Sequence, residues 1–515
     1  MPDHQETVMT KIDASVQGKW DVAVANLGVI GVHMALLNTG KVLLFSADHH
    51  DYETMDKGKA ALWDPATDSV THSDLSRHLL CSGHCMLPDG RVLVVGGQAY
   101  GQNLGQFLRA LLGRGRGVDH DIHTFDPVTE KWSRHTDLPR ARWYPTCVTL
   151  PDGKAMLVCG NWNRIVAQIV ERLTGSDRFG INDTFEIFDP ETNTLTAPQP
   201  FLKDIGVYLF VHVLPGGFLY VHSWNKTRLF DLNKQEWIPQ VFTMNSPGTR
   251  IYPAPGTSVL LPISPDNAQP ARVLIAGGST ALKPTKQTPA TDRVEIFELN
   301  AQDPGQSRWR ETTPLAHRRF VSETMLLPDG TLLVLGGAEQ GTGDHNHGAV
   351  LESERFDPVT ETWQTLARAS IKRLYHSTAA LLPDGRVVAA GSTGHEWPPD
   401  EQELRLEVFS PPYLANGPRP VIDCAPPQVS YGASFDVETA DAQSIQSVAF
   451  VRPTTTTHNN NMDQRYVGLK IERRNAAQLT LIAPPDGSVA PPGYYMLFIV
   501  NTDGVPSIAK FVRVQ

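Results

Sequence analysis

LPDGRVLVVGG, residues 87–97, decides the fold. Asp-Gly between β-branched, apolar arms is the strongest short-range signal for a hairpin, because the tight turn needs a residue that tolerates a left-handed backbone. The pattern returns along the chain as LNTGKVLLFS at 37, LPDGKAMLVCG at 150 and LPGGFLYVHS at 214. It continues as ARVLIAGG at 271, LPDGTLLVLGG at 327 and LPDGRVVAAGS at 382. A second marker follows each copy: WDP at 63, FDP at 125 and 188, FDL at 230, FEL at 297, FDP at 356 and FSP at 409. Some run on to a tryptophan, as in FDPVTEKW and FDPVTETW. Seven turns alternating with seven markers predict an all-β chain built as a seven-bladed β-propeller, four strands to a blade. A sandwich with chance turns does not space two markers so regularly.

Beyond FSPPYLANGPRPVIDCAPP the markers stop, and the proline cluster reads as a boundary. The segments QVSYGASFDVETA, IQSVAFVRP, YVGLKIE, AQLTLIAPP and GYYMLFIVN then alternate like the strands of an Ig-like β-sandwich. The expected domains are a Kelch-like propeller over 1–417 and the sandwich over 418–515.

Composition narrows the function. A chain of 515 residues, 41% hydrophobic and 19% charged, buries a large core in more than one domain. Its 39 prolines and 41 glycines favour turns and short strands over long helices. A net charge of −10 argues against a nucleic-acid partner, and no apolar run reaches the length of a membrane span. The start, MPDHQETVMTKIDASVQGKW, lacks the basic-then-apolar pattern of a secretory leader, and five cysteines are no disulfide framework. Read alone, those two features favour the inside of a cell.

Counting back from the turn glycines places reactive side chains in register. Cys81 lies nine residues before Gly90, Tyr144 nine before Gly153, and His376 nine before Gly385 with Tyr375 beside it. Equivalent positions entering the hairpins of blades two, three and seven belong to one end of the central channel. Blades two and three are neighbours, so Cys81 is expected to touch Tyr144. Nine residues forward from Gly153 is Trp162, expected opposite Tyr144 across the hairpin. Long insertions, GQAYGQNLGQFLRALLGRGRGVD and AEQGTGDHNHG, leave the same end, where loops on a rigid scaffold select substrates. Taken singly, a cysteine is usually a small buried hydrophobe and a tyrosine usually core. Their common register argues otherwise.

The segments LCSGHCMLPDG, RARWYPT, RLYHSTAALLPDGR and THNNNMDQR, with the ending GYYMLFIVNTDGVPSIAKFVRV, resemble the galactose oxidase and glyoxal oxidase family of copper-radical oxidases. The resemblance covers nearly the whole chain and makes the C-terminal unit an early-set Ig-like domain. It implies one copper ion per chain, held by Tyr144, Tyr375, His376 and His458. It implies also a thioether between Cys81 and Tyr144, a tyrosyl radical on that cross-linked ring, Tyr375 as base, and Trp162 shielding the radical. The implied reaction takes a small alcohol or aldehyde and O₂ to the aldehyde or acid and H₂O₂; a monomer is expected. Members of this family are usually exported, which leaves the compartment open. RWYPT leans to the glyoxal oxidase branch, the Trp162 offset to the galactose oxidase type.

Two other readings compete. A non-catalytic Kelch-type binding propeller would keep the glycines and aromatics but has no use for the Tyr-His pair. A sialidase-like hydrolase would need an arginine cluster, for which Arg140, Arg142 and Arg373 are candidates, together with carboxylates that the registered positions lack.

Overall fold

A computed structural model describes residues 14–47, 58–75, 79–97, 120–162, 180–266, 269–343, 345–393 and 403–515. Most of the first long insertion lies outside the described residues. Among those described, seven antiparallel meanders of at least four strands fill the chain up to Ser410. Their first strands are His33–Leu36, Gly83–Met86, Thr146–Thr149, Phe210–Leu214, Thr257–Leu260, Glu323–Leu326 and Thr378–Leu381, here the inner strands of blades I to VII. Every residue of these strands is buried. Each lies against its neighbours in turn around an axis, with Thr455–Thr457 seated between the strands of blades I and II.

The repeated turn explains itself locally. In blade II the Gly90 amide donates to the Leu87 carbonyl at 2.9 Å and the Leu87 amide to the Arg91 carbonyl at 2.8 Å. Asp89 Oδ1 accepts the Arg91 amide at 3.0 Å. Gly90 sits at φ +92°, a conformation that a side chain would strain. The aromatic-Asp-Pro marker closes the outer hairpin. Asp126 Oδ1 accepts the Val128 amide at 2.8 Å, an Asx-turn. That turn pairs Phe125 with Trp132, ring centroids 5.2 Å apart. Phe230 with Trp237, Phe297 with Trp309 and Phe356 with Trp363 repeat the pair.

Blade VII lacks a tryptophan downstream of Phe409, and the ring closure supplies one. Lys19–Val24 runs antiparallel to Leu406–Ser410 as the outer strand, placing Trp20 opposite Phe409 at 5.1 Å. Residues from Gln428 onward form a five-stranded and a three-stranded sheet with Phe435, Val437, Phe450, Leu479, Leu481 and Tyr495 buried in the core. One hairpin of this unit, Thr455–Thr457 with Asn460–Asn461, leaves both sheets and joins the inner strand of blade I, His33 opposite Thr457.

The hairpin of blade III corrects one expectation. Its strands pair Thr146 with Val158 and Thr149 with Ala155, so the turn pivots on Asp152, one residue before the glycine. Trp143 therefore faces Asn161, and the register sets Tyr144 opposite Gly160 rather than opposite Trp162.

Candidate metal centre

The position nine residues before the turn glycine has a left-handed backbone in five blades. Cys81, Tyr144, Tyr208, Val321 and His376 have φ of 65°, 61°, 47°, 52° and 64°. Such a conformation costs a non-glycine residue about 1–3 kcal/mol and persists only where neighbours hold it. The neighbours are visible. The Tyr144 amide donates to the Cys81 carbonyl and the Tyr208 amide to the Tyr144 carbonyl, both at 3.0 Å, tying blades II, III and IV at one end. The Cys81 amide donates to His33 Nε2 at 3.1 Å, which makes that nitrogen an acceptor and puts the proton of a neutral ring on Nδ1.

His458 arrives from the other unit on the Thr455–Asn461 hairpin, which runs up the channel. Residues of THNNNMDQR anchor it. Thr457 Oγ1 donates to the Val32 carbonyl at 2.9 Å and Asn460 Nδ2 to the Leu209 carbonyl at 3.0 Å. Asp463 accepts the Thr455 hydroxyl at 2.7 Å and pairs with buried Arg452 at 3.0 Å. Glu323 of blade VI accepts from Thr456 at 2.9 Å and from Asn459 at 3.0 Å.

Five side chains meet at the tip. The Tyr144 and Tyr375 hydroxyl oxygens are 2.5 Å apart, within direct hydrogen-bond reach of each other. His458 and His376 stand edge to face at 4.6 Å, and Tyr144 lies 4.8 Å from His458. Tyr375 stacks on His376 at 4.1 Å. Cys81 Sγ is 3.9 Å from His458 Nε2, and the ligand atoms of Cys81, His376 and His458 all lie within 4.8 Å of one another. Thr393 Oγ1 holds His376 Nδ1 at 2.7 Å and Thr457 Oγ1 holds His458 Nδ1 at 2.5 Å, orienting each ring. Burial, reinforced by His376, His33 and His84, pushes His458 well below its ordinary value. It is therefore neutral, the form that binds a metal.

The donor set fits one cation. Two imidazoles with two phenolates suit Cu(II), which heads the divalent affinity order and accepts tetragonal N,O sites. A phenol of pKa about 10 needs a nearby cation to stay ionised at neutral pH.

Cys81, Tyr144, Tyr375, His376 and His458 converge here. Trp162 is 37% exposed, with its amide on the Gly180 carbonyl at 2.7 Å. Trp143 stacks directly on Tyr144, centroids 3.7 Å apart and planes at 17°. The sequence reading passed over Trp143 and Tyr208; Tyr208 had a signal, being nine residues before Gly217. His33 and Glu323 had none, because their partners lie on other elements. Cys85, the second cysteine of LCSGHCMLPDG and only five residues before Gly90, is buried against Cys147. The arginines of the hydrolase reading are committed elsewhere. Arg142 is buried on Glu186 and Arg373 on Glu407, while Arg140 is exposed.

A ring of meander sheets with two phenols, two imidazoles and a thiol at one mouth is the architecture of the copper-radical oxidases. The chain belongs to the glyoxal oxidase family. The family model "Glyoxal oxidase N-terminus" matches residues 46–413, and "Galactose oxidase-like, Early set domain" matches 419–514. The aldehyde oxidase GLOX of Vitis pseudoreticulata is 28% identical over 97% of this chain and 98% of its own. The galactose oxidase of Gibberella zeae is 25% identical over 96% of this chain and 70% of its own. A fungal alcohol oxidase solved in complex with copper superposes with a TM-score of 0.76 at 23% identity, covering 97% of this chain and 99% of that one.

Proposed function

We propose that this protein is a copper-radical oxidase that removes two electrons and two protons from a primary alcohol or a hydrated aldehyde and passes them to O₂, giving the aldehyde or acid and H₂O₂. Tyr144, Tyr375, His376 and His458 hold the ion, and Cys81 is joined to the Tyr144 ring through a thioether. Copper bound there supplies one of the two one-electron acceptors; the cross-linked Tyr144 supplies the other. Tyr375, whose oxygen lies 2.5 Å from that of Tyr144, takes the substrate hydroxyl proton. His458, kept neutral by burial, is aimed by Thr457, and His376 is aimed by Thr393. Trp162 screens the centre from solvent. The chain divides functionally near residues 417–418, with His458 lent by the second unit to the first.

The observation that carries this reading is the 2.5 Å contact between two phenols from blades III and VII, beside a thiol and two imidazoles from a third blade, the seventh blade and the second unit. A non-catalytic binder has no use for that convergence. Intact mass after exposure to copper and O₂ tests it. A loss of two hydrogens, a joined peptide containing Cys81 and Tyr144, and peroxide release with simple alcohols or aldehydes are expected. An unchanged mass with no O₂ uptake on any of these substrates would reject it.

A further inference from the structure

We propose that Tyr208 is a positioning residue that confines oxidation of this centre to Tyr144; the inference rests on the copper-radical reading above. Tyr208 occupies the blade IV counterpart of the positions held by Cys81, Tyr144 and His376, with the same left-handed backbone. Its ring lies nearly parallel to that of Tyr144, centroids 4.3 Å apart and planes at 24°. Trp143 lies at 3.7 Å and 17° from the same ring. Two rings so close and so nearly parallel cannot share one face of a phenol, so Trp143 and Tyr208 cover opposite faces. Tyr252 stands at 5.0 Å and His458 at 4.8 Å, both edge-on. The Tyr144 ring is thus closed in by π surface, and its electron-poor form gains from both faces while water is kept away.

A second phenol against the first is a hazard, since it could lose the electron instead. The hydroxyl groups separate the two. Oxidation of a phenol to the neutral radical removes one electron and one proton, and it is easy only where the proton has somewhere to go. The Tyr144 oxygen is 2.5 Å from the Tyr375 oxygen, through which its proton can pass. The Tyr208 hydroxyl donates at 2.8 Å to the carbonyl of Ser82, the residue after Cys81. An amide carbonyl is too weak a base to take that proton. Of the two stacked phenols, Tyr144 has an oxygen neighbour that can receive its proton, or a bound cation to displace it, whereas Tyr208 faces only an amide carbonyl across its hydrogen bond. Tyr208 contributes its face and keeps its electron.

The test compares the copper- and O₂-matured protein with its Tyr208→Phe and Tyr208→Leu variants. Copper affinity is read by titration and the lifetime of the oxidised tyrosine by its absorption. The resonance spectrum is recorded after the metal is removed and a one-electron oxidant added, which takes the electron while buffer takes the proton. The leucine variant should bind copper within about twofold of the parent but lose the oxidised form at least tenfold faster, with a midpoint potential higher by about 59 mV for a tenfold change in a one-electron couple. The phenylalanine variant should match the parent in lifetime and in spectrum. An unchanged lifetime in the leucine variant would overturn the proposal. So would a spectrum altered in the phenylalanine variant, which places the unpaired electron on Tyr208; that arm decides even if the leucine variant does not fold. A parent that forms neither the cross-link nor an oxidised tyrosine sinks the oxidase reading and this inference together, whereas a competent parent with indifferent variants sinks this inference alone.

Discussion

At Cys81 the chain turns left-handed, gives its amide to His33 and points a buried thiol at His458. None of that geometry needs the sulfur, because an alanine keeps the Cβ and the backbone bond. Cys81→Ala is therefore expected to fold, with an unfolding midpoint close to the parent, and to bind copper through the four intact ligands. Turnover should fall about 100-fold or more, since the ring that stores one electron loses its electron-donating substituent. Peroxide assays and metal analysis on the same sample check both halves. The cysteine was legible because the count to the turn glycine singled it out from Cys85. Tyr208 obeys the same count and was passed over because the bland reading of a tyrosine as core is usually right. It takes the stacked ring beside it to reveal the difference. Trp162 shows the converse: the tryptophan packed on Tyr144 is its own chain neighbour, Trp143.

The hairpin that carries His458 is an element held by polar contacts inside a protein, and one of them titrates. Burial pushes the Glu323 carboxyl up to about 8 from its ordinary 4.5. Between those values the folded protein holds a proton that the unfolded chain has released. Stability from this group is thus whole below about pH 4.5 and is lost as pH rises through 8. Glu323→Gln preserves the shape and removes the titration. The parent should lose stability relative to that variant as pH climbs from about 5 to 8, as measured by denaturant melts at each pH; a constant difference would contradict the assignment. Hairpin turns and aromatic pairs within a blade were readable because their partners sit within one repeat. Trp20 opposite Phe409 was not, because the pair joins residues from opposite ends of the repeat array.

Across the whole molecule, the four proposed ligands come from two parts of the chain: three from the ring and His458 from the C-terminal unit. An ion shared by them links the halves, so it binds the folded protein far better than the unfolded chain. Removing copper with a chelator should lower the unfolding midpoint. Returning free copper to about 100 times its dissociation constant should restore about 2.7 kcal/mol. Thermal melts of stripped and reloaded protein check this, and identical midpoints would mean that the ion does not bridge the units. Arg142, Arg319 and Arg373, each buried on a glutamate within its blade, hold the ring independently of metal.

Sequence by itself determined the repeat, the order of the two units and the register that brings Cys81, Tyr144, Tyr375 and His376 to one end of the ring. Turn chemistry and strand periodicity act over about ten residues and leave a mark at each repeat. Only the tertiary structure decided which ring faces which: the pivot on Asp152, the stack of Trp143 and Tyr208 on Tyr144, and the buried glutamate that accepts from the His458 hairpin. Those contacts depend on where separate blades come to rest in three dimensions, and no local pattern in the chain encodes that distance.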